Sequence, residues 1–282
     1  MTPYGVSLNS NSRVMNSVPA EALNYAFLKE GEIAIDASTG SQYSVANGYL
    51  YKNGVLLTNT RLPVWTPRSI SGIAGWWMAE TYALADGGAI ATNWLDQSGN
   101  GRDLVTTGAN AVYRLNSING RPAVDTGATA GNQTKTHWLY NSAFDWRQVF
   151  AVAYNSGVNI TFDGLVTGVP AGGKSILIGA NGTGLWYTTD VGGLTGTTGI
   201  FKDGTATNAL TFGATGHLYN VGWTQDISAT QAGIIIGKTK NELLRAWWGH
   251  IHEVIVFSAI ISAADLLRLK AYFTAKYAIT IA

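Results

Sequence analysis

The sequence predicts an all-β protein: an antiparallel β-sandwich that follows a small N-terminal module of helix and strand (α+β or all-β) and ends in one helix. From residue 70 onward, short apolar runs are separated by Gly, Asn, Asp and Thr, a pattern typical of sandwiches and barrels. The strand–helix–strand alternation of parallel α/β folds is missing. Hydrophobic residues make up 46% of the 282 and charged residues only 12%. Because the charged share is about half the usual one, a large core is expected.

Residues 1–62 are expected to form a separate module for attachment or assembly. Ser17-Val18-Pro19 opens a short helix, since proline is tolerated in the first helical turn. Residues 32–36 then alternate as a strand. Residues 49–58 form a hairpin, because Asn53-Gly54 readily takes the positive φ angles of a type I′ turn.

Residues 63–69 are expected to be a linker, since its prolines cannot join a central strand ladder. Residues 70–282 form the sandwich domain. It ends in a helix that Ser262 caps, with Asp265 three residues on. The residues of its apolar face are Leu266, Leu269, Phe273 and Tyr277. The clearest strands are 150–154, 175–179, 218–223 and 233–237.

Charge and composition narrow the class of protein. The net charge is +1 and no run of Lys or Arg occurs, whereas a nucleic-acid binder needs a basic surface to neutralise phosphates. There are no cysteines, so disulfides and thiolate metal sites are excluded. The first residues lack the pattern of a signal peptide. No window reaches the ~20 apolar residues of a membrane span, so no membrane insertion is expected.

Five separated motifs occur in a recognisable order. They are Ala74-Gly75-Trp76-Trp77-Met78-Ala79-Glu80, Trp94-Leu95-Asp96-Gln97-Ser98-Gly99-Asn100-Gly101-Arg102-Asp103-Leu104, Asn119-Gly120-Arg121-Pro122-Ala123-Val124, Trp248-Gly249-His250-Ile251-His252-Glu253-Val254-Ile255-Val256-Phe257 and a final helix from Leu269 to Tyr277. This order resembles the concanavalin A-like lectin/glucanase superfamily, in its laminin-G-like jelly-roll branch, over residues 70–282. The resemblance implies two stacked antiparallel sheets and a fold mostly used to bind carbohydrate or protein.

Catalysis by a pair of carboxylates is not predicted. A glycan hydrolase needs two carboxylates roughly 5–10 Å apart across the scissile bond, and in the glucanases that this fold resembles they alternate along one strand. Of the six glutamates, only Glu30 and Glu32 have an acidic residue two or four positions away; they are two apart, Asp36 is four from Glu32, and all three lie in the N-terminal module. Glu253 is expected to be a buried carboxylate, hydrogen-bonded within the sandwich. The sequence therefore predicts a protein that is not an enzyme.

Metal sites are considered at two places. His250 and His252 are two apart on a strand and should leave the same face, but zinc needs a third and usually a fourth donor. Asp96, Asn100 and Asp103 are oxygen donors in one turn, where such side chains usually bond their own backbone. No metal or cofactor is predicted, and calcium stays an alternative that the resemblance favours.

Aromatic residues are the candidates for carbohydrate binding. There are ten tryptophans and thirteen tyrosines, and sugar rings stack their C–H faces on aromatic rings. The candidates nearest to loops are Trp138, Tyr140, Trp186 and Tyr187. Packing in the core or between subunits is the competing interpretation for all four, because large aromatics dominate cores and interfaces.

The leading hypothesis is a non-enzymatic structural protein of a bacteriophage virion, either a capsid decoration protein or a head or tail fibre. It would be made in the host cytoplasm and displayed on the virion surface, with residues 1–62 attached to capsid or tail and the lectin-like domain facing a surface or glycan. A homotrimer is expected. The alternative is a bacterial carbohydrate-binding module or adhesin, and a glycan hydrolase or lyase is the least favoured.

Overall fold

The computed structural model describes short strands between Ser12 and Leu56 by their backbone, and most of the chain from Trp65 to Ala282. The chain divides into two compact units, Met1–Thr66 and Pro67–Ala282. The stretches of the second unit that are not described are 109–110, 129–135, 157–162, 171–175, 182–183, 187–196, 208–214, 225–230 and 239–245.

The described part of the first unit is a five-stranded sheet. Its strands lie in chain order, and only the first pair is parallel. The predicted strand and hairpin are confirmed, since Tyr51 pairs with Leu56 across the hairpin. The helix predicted from Ser17 lies outside the described residues. The strands are β1 (Ser12–Met15), β2 (Ile33–Asp36), β3 (Gln42–Ala46), β4 (Tyr49–Lys52) and β5 (Val55–Leu56).

The second unit is an antiparallel sandwich of two sheets with one C-terminal helix, as predicted. The larger sheet runs in the order β16-β15-β17-β11-β19-β9-β8, and β6 also pairs with β19. Its strands are β6 (Ile73–Met78), β8 (Val112–Ile118), β9 (Arg121–Asp125), β11 (Gln148–Asn155), β15 (Thr197–Lys202), β16 (Thr205–Ala206), β17 (His217–Trp223) and β19 (Gly249–Phe257).

The smaller sheet has six strands in the order β14-β13-β12-β18-β10-β7. The two sheets fit the jelly roll that the resemblance implies. The strands predicted from apolar runs correspond to β11, β13, β17 and β18. The strands of this sheet are β7 (Val105–Thr107), β10 (His137–Tyr140), β12 (Asp163–Pro170), β13 (Ile176–Asn181), β14 (Gly184–Trp186) and β18 (Gln231–Ile236).

The core lies between the sheets and is built from alternate residues of the central strands, because successive side chains of a strand point to opposite faces. On β11 the inward residues are Val149, Ala151 and Ala153, each 0% exposed. Indole rings fill much of the remaining space. Trp94 and Trp138 meet edge to face with ring centroids 5.1 Å apart, a favoured aromatic geometry.

Helix α1 (Ala263–Tyr277) packs on the outer face of the larger sheet. Ser262 caps it as predicted, because its side chain accepts a hydrogen bond from the backbone N–H of Asp265. Phe273 stacks on Phe150 of β11, with ring centroids 6.4 Å apart. The helix has 15 residues, and none of the described helices is long and apolar enough to cross a membrane.

Candidate functional site

A β-bulge in strand β19 gathers polar side chains on one face of the larger sheet. The single step from Val152 to Ala153 on β11 corresponds to two steps on β19, so His252 is an extra residue there. A bulge interrupts the alternation of side chains along a strand. Glu253 and His250 therefore lie with His252 on the outer face, the face that α1 partly covers.

A second bulge lies in the neighbouring edge strand β8. Arg114 pairs with Ala123 of β9, and Ile118 pairs with Arg121. Three residues of β8 thus stand opposite a single residue of β9. Bulges often redirect side chains at sheet edges, and here the redirected residue is Ser117, which reaches the histidines of β19.

Short distances connect these groups. The Ser117 Oγ lies 2.7 Å from Nδ1 of His250 and 3.3 Å from Nε2 of His252. The Tyr154 hydroxyl lies 2.8 Å from the same Nδ1 of His250, and the two rings are 4.5 Å apart. On its other side, Nδ1 of His252 lies 2.9 Å from the carbonyl oxygen of Pro122.

An ion pair completes the group on the solvent side. The Asp125 Oδ2 lies 3.7 Å from Nε2 of His250 and 3.1 Å from Nη2 of Arg114. The exposed fraction of the side chain is 40% for Arg114, 16% for Asp125 and 17% for His250. We call Arg114, Ser117, Asp125, Tyr154 and His250 the His250 cluster.

One hydrogen bond determines where the proton of His252 lies. The carbonyl of Pro122 can only accept, so Nδ1 of His252 carries the proton and its Nε2 accepts. Nδ1 of His250 lies within hydrogen-bond distance of both the Ser117 and the Tyr154 hydroxyls, and in the neutral ring either nitrogen can carry the proton. Nε2 of His250 lies on the side of Asp125.

Burial keeps both histidines neutral at pH 7. It lowers the pKa of His252 to about 3 and also lowers the pKa of His250. The charge of Arg114 lowers the pKa of His250 further, while the carboxylates of Asp125 and Asp86 oppose both effects.

This arrangement can recognise hydroxyl groups. Arg114 supplies donors and Asp125 supplies acceptors, side by side with the imidazole of His250, which offers one donor and one acceptor when it is neutral.

Glu253 has a structural role, as predicted from its apolar surroundings. It is 0% exposed and is hydrogen-bonded under α1, on the outer face of the larger sheet. Burial raises the pKa of both tyrosines that bond it, so these remain protonated donors. The donors to the carboxylate are Nε1 of Trp76, the hydroxyls of Tyr272 and Tyr277, and Nζ of Lys276.

Of the aromatic residues predicted to bind carbohydrate, the structure describes the side chains of Trp138 and Tyr140. The prediction for Trp138 is wrong, because this residue is 0% exposed and offers no ring face to a ligand. Tyr140 is partly buried on the same inward face of β10 and contacts Phe144 edge to face at 5.7 Å. Trp186 pairs through its backbone with Gly179, but its side chain is outside the described part, as is all of Tyr187.

The residues considered for calcium organise their own loop. Asp96 accepts hydrogen bonds from the backbone N–H groups of Trp76, Ser98 and Arg102 and from the Ser98 hydroxyl. Asp103 accepts from the N–H of Asp96. These bonds are the turn chemistry that Asp residues usually supply. Among the described residues, no three His, Asp or Glu side chains are grouped in a way that could hold a metal ion.

Most of the cluster was missed by reasoning from sequence. Only His250 stood out there, as half of a histidine pair. Asp125 directly follows the Asn119–Val124 motif, which is a usable signal for its position. Arg114, Ser117 and Tyr154 carried no signal, because the bulge and the strand pairings that bring them to β19 cannot be read from local sequence.

Comparison with solved structures finds sialidases. Trypanosoma rangeli sialidase in complex with sialic acid matches with a TM-score of 0.44 and 11% identity, over 86% of this chain and 44% of that one. The same sialidase with 2,3-difluorosialic acid, as a covalent intermediate, gives 0.41 and 10%, over 87% and 44%. A mutant displaying trans-sialidase activity gives 0.42 and 11%, over 85% and 44%. No family model matches the chain, and no curated protein matches it in sequence.

These matches contradict the leading hypothesis from the sequence. The prediction of a non-enzymatic structural protein of a bacteriophage virion is wrong on this comparison, because the matching structures named here are sialidases, which are glycan hydrolases. The prediction that the protein is not an enzyme is wrong on the same finding. The chain spans less than half the length of these sialidases, and at 10–11% identity the match gives no residue of this chain a catalytic role.

Proposed function

We propose that the sandwich of residues 67–282 is a glycan-binding domain of the concanavalin A-like, laminin-G-like type, and that the His250 cluster is its binding site. The observation that carries the proposal is the row formed by Arg114, Asp125 and the imidazole of His250. A sugar hydroxyl both donates and accepts hydrogen bonds, so it can use a donor and an acceptor that lie side by side.

Charge favours a neutral hydroxyl over a phosphate. Arg114 and Asp125 cancel one another, and His250 is uncharged at pH 7 because burial lowers its pKa. Asp86, which accepts a hydrogen bond from the N–H of Leu115, adds a negative charge nearby. An anionic ligand would therefore meet carboxylates that no free cation of the cluster offsets.

The bulge in β8 also supplies an apolar surface. Leu115 follows Arg114 in the chain and is 39% exposed. An exposed apolar side chain next to Arg114 suits the C–H face of a sugar ring, since carbohydrate sites pair apolar contact with a few oriented polar groups.

The proposal is tested with Arg114→Ala in the full chain. Binding to a panel of neutral and acidic oligosaccharides is measured by isothermal titration calorimetry. We expect the wild-type protein to bind at least one of them and Arg114→Ala to bind it roughly 10- to 100-fold more weakly, the effect of losing hydrogen bonds from a charged donor. Arg268→Ala is the matched control, because Arg268 also pairs with an aspartate, Asp265, but lies on α1.

Two results would overturn the proposal. One is that the wild-type protein binds no oligosaccharide of the panel. The other is that Arg114→Ala and Arg268→Ala bind with the same affinity as the wild type, which would place any glycan site elsewhere on the molecule.

A further inference from the structure

The core of the sandwich is polar at one end. His217, the first residue of β17, is 9% exposed and pairs with Ala153 of β11. Asn155, two residues after Ala153 on β11, is 0% exposed. Asp163, at the start of β12, is 1% exposed. Polar side chains inside an apolar core are informative, because burying them costs free energy unless they find partners.

Asp203 determines the proton position on His217. Its Oδ2 lies 2.6 Å from Nδ1 of His217, and its Oδ1 accepts a hydrogen bond from the N–H of Leu218. An ionised carboxylate only accepts, so Nδ1 of His217 carries a proton, and the neutral form of this ring has its lone pair on Nε2. No described residue bonds that Nε2.

Tyr219 provides the complementary group. It lies two residues on from His217 along β17, on the same face, with the rings 6.1 Å apart. Its hydroxyl is buried and has no partner among the described residues. Burial, followed by the charge of Asp203, raises the pKa of Tyr219, so the hydroxyl keeps its proton and is a donor.

The neighbouring strand carries small side chains directly across from these groups. The residues of β11 that pair with His217 and Tyr219 are Ala153 and Ala151, which each carry only a methyl group. The side chain of Asp203 is 22% exposed, whereas Tyr219 is 0% exposed, so the region opens to solvent on the Asp203 side.

We infer that His217 and Tyr219 form a second binding site, on the core face of the sheet, for a hydroxyl group of a small polyol or a single sugar residue. The ligand oxygen accepts from the Tyr219 hydroxyl, and the ligand proton is donated to Nε2 of His217. A carboxylate or phosphate oxygen has no proton to donate and would face Asp203. The site is independent of the His250 cluster, which lies on the opposite face of the same sheet.

A first experiment asks whether the Tyr219 hydroxyl lacks a protein partner. Removing an unpartnered buried hydroxyl should not destabilise the protein, whereas removing a bonded one should. We expect Tyr219→Phe in the full chain to keep or raise the melting temperature. The matched control is Tyr272→Phe, because Tyr272 is a buried tyrosine whose hydroxyl lies 2.9 Å from Glu253, and we expect it to lower the melting temperature.

A second experiment detects the ligand. Glycerol and methyl glycosides are titrated into the wild-type protein while the nitrogen shifts of His217 are followed by long-range ¹⁵N–¹H NMR. We expect a saturable shift at Nε2, with affinity reduced about fivefold in Tyr219→Phe, the loss of one hydrogen bond. The same shift should persist in Arg114→Ala, which separates this site from the proposed glycan site.

The inference is overturned by either of two outcomes. If Tyr219→Phe lowers the melting temperature as much as Tyr272→Phe, the Tyr219 hydroxyl already has a partner. If Nε2 of His217 does not shift with any of these probes, the region holds solvent only.

Discussion

Replacing Lys276 by methionine should destabilise the sandwich more than any single surface charge does. The Lys276 Nζ lies 2.9 Å from Oε2 of Glu253 and 3.0 Å from Oε1 of Glu80. Its side chain is 11% exposed, that of Glu253 is 0% and that of Glu80 is 23%. Methionine keeps the apolar length of the side chain and removes only the charge.

The expected loss in the free energy of unfolding depends on the hydrogen bonds that Glu253 keeps after Lys276→Met. Removing one partner of a buried ion pair costs about 3–5 kcal/mol, because the other charge stays buried without compensation. Glu253 would keep its hydrogen bonds from Trp76, Tyr272 and Tyr277, so the lower end of that range, about 3 kcal/mol, is expected. For a unit of this size the melting temperature should fall by roughly 6–12 °C.

The assay is urea unfolding of the full chain, followed by tryptophan fluorescence. Nine of the ten tryptophans lie in the second unit, so the signal reports on the sandwich. Arg268→Met is the matched control. Arg268 pairs with Asp265 at 3.3 Å with side chains 25% and 24% exposed, and such pairs contribute about 0–1 kcal/mol. The reasoning is refuted if Lys276→Met loses no more stability than Arg268→Met.

Two further perturbations test the site and its loop. Burial lowers the pKa of His252 to about 3 in the folded protein, against about 6.5 in the unfolded chain, so acidification from pH 6.5 to 5 protonates only the unfolded form. The free energy of unfolding, measured with urea, should therefore fall by about 2 kcal/mol over this range. An equal fall in His252→Gln and in the wild type would contradict this. Asp96→Ala removes four hydrogen bonds of a loop carboxylate and should cost about 2–3 kcal/mol in urea unfolding. Asp86→Ala, at an exposed carboxylate that accepts from Leu115, should cost less than about 1 kcal/mol, and equal losses would be evidence against the Asp96 role.

Local pattern was sufficient to predict four strands of the sandwich and its C-terminal helix. The cap at Ser262 depends on a side chain and a backbone group three residues apart, so it can be read directly from the chain. The apolar runs that became β11 and β17 are buried on both faces, which is why they read as continuous. Trp138 misled the prediction, because its side chain faces inward from a strand, which sequence does not show.

The His250 cluster is brought together by two β-bulges, which no local sequence pattern predicts. By strict alternation, Glu253 should lie on the face opposite to His250 and His252, and only the bulge against Val152 brings all three together. Ser117 arrives through a separate bulge, from a strand more than a hundred residues earlier in the chain. Irregularities of one or two residues depend on how whole strands pair, so they follow from tertiary packing.

The C-terminal end of α1 contacts both Glu253 and the hairpin that carries part of the His250 cluster. The helix stops at Tyr277, where Ala278 takes a left-handed φ of 55°, and the Tyr277 ring packs on His252 at 5.6 Å. Asn119, in the turn between β8 and β9, donates to the carbonyl of Lys276, one of the carbonyls that the helix itself leaves unbonded. The hairpin that caps the helix is therefore the one that carries both Ser117 and the ion pair of the cluster. Near this end of the helix Glu253 is 0% exposed, whereas the side chain of His250 is 17% exposed, and the proposed site lies on that more exposed side.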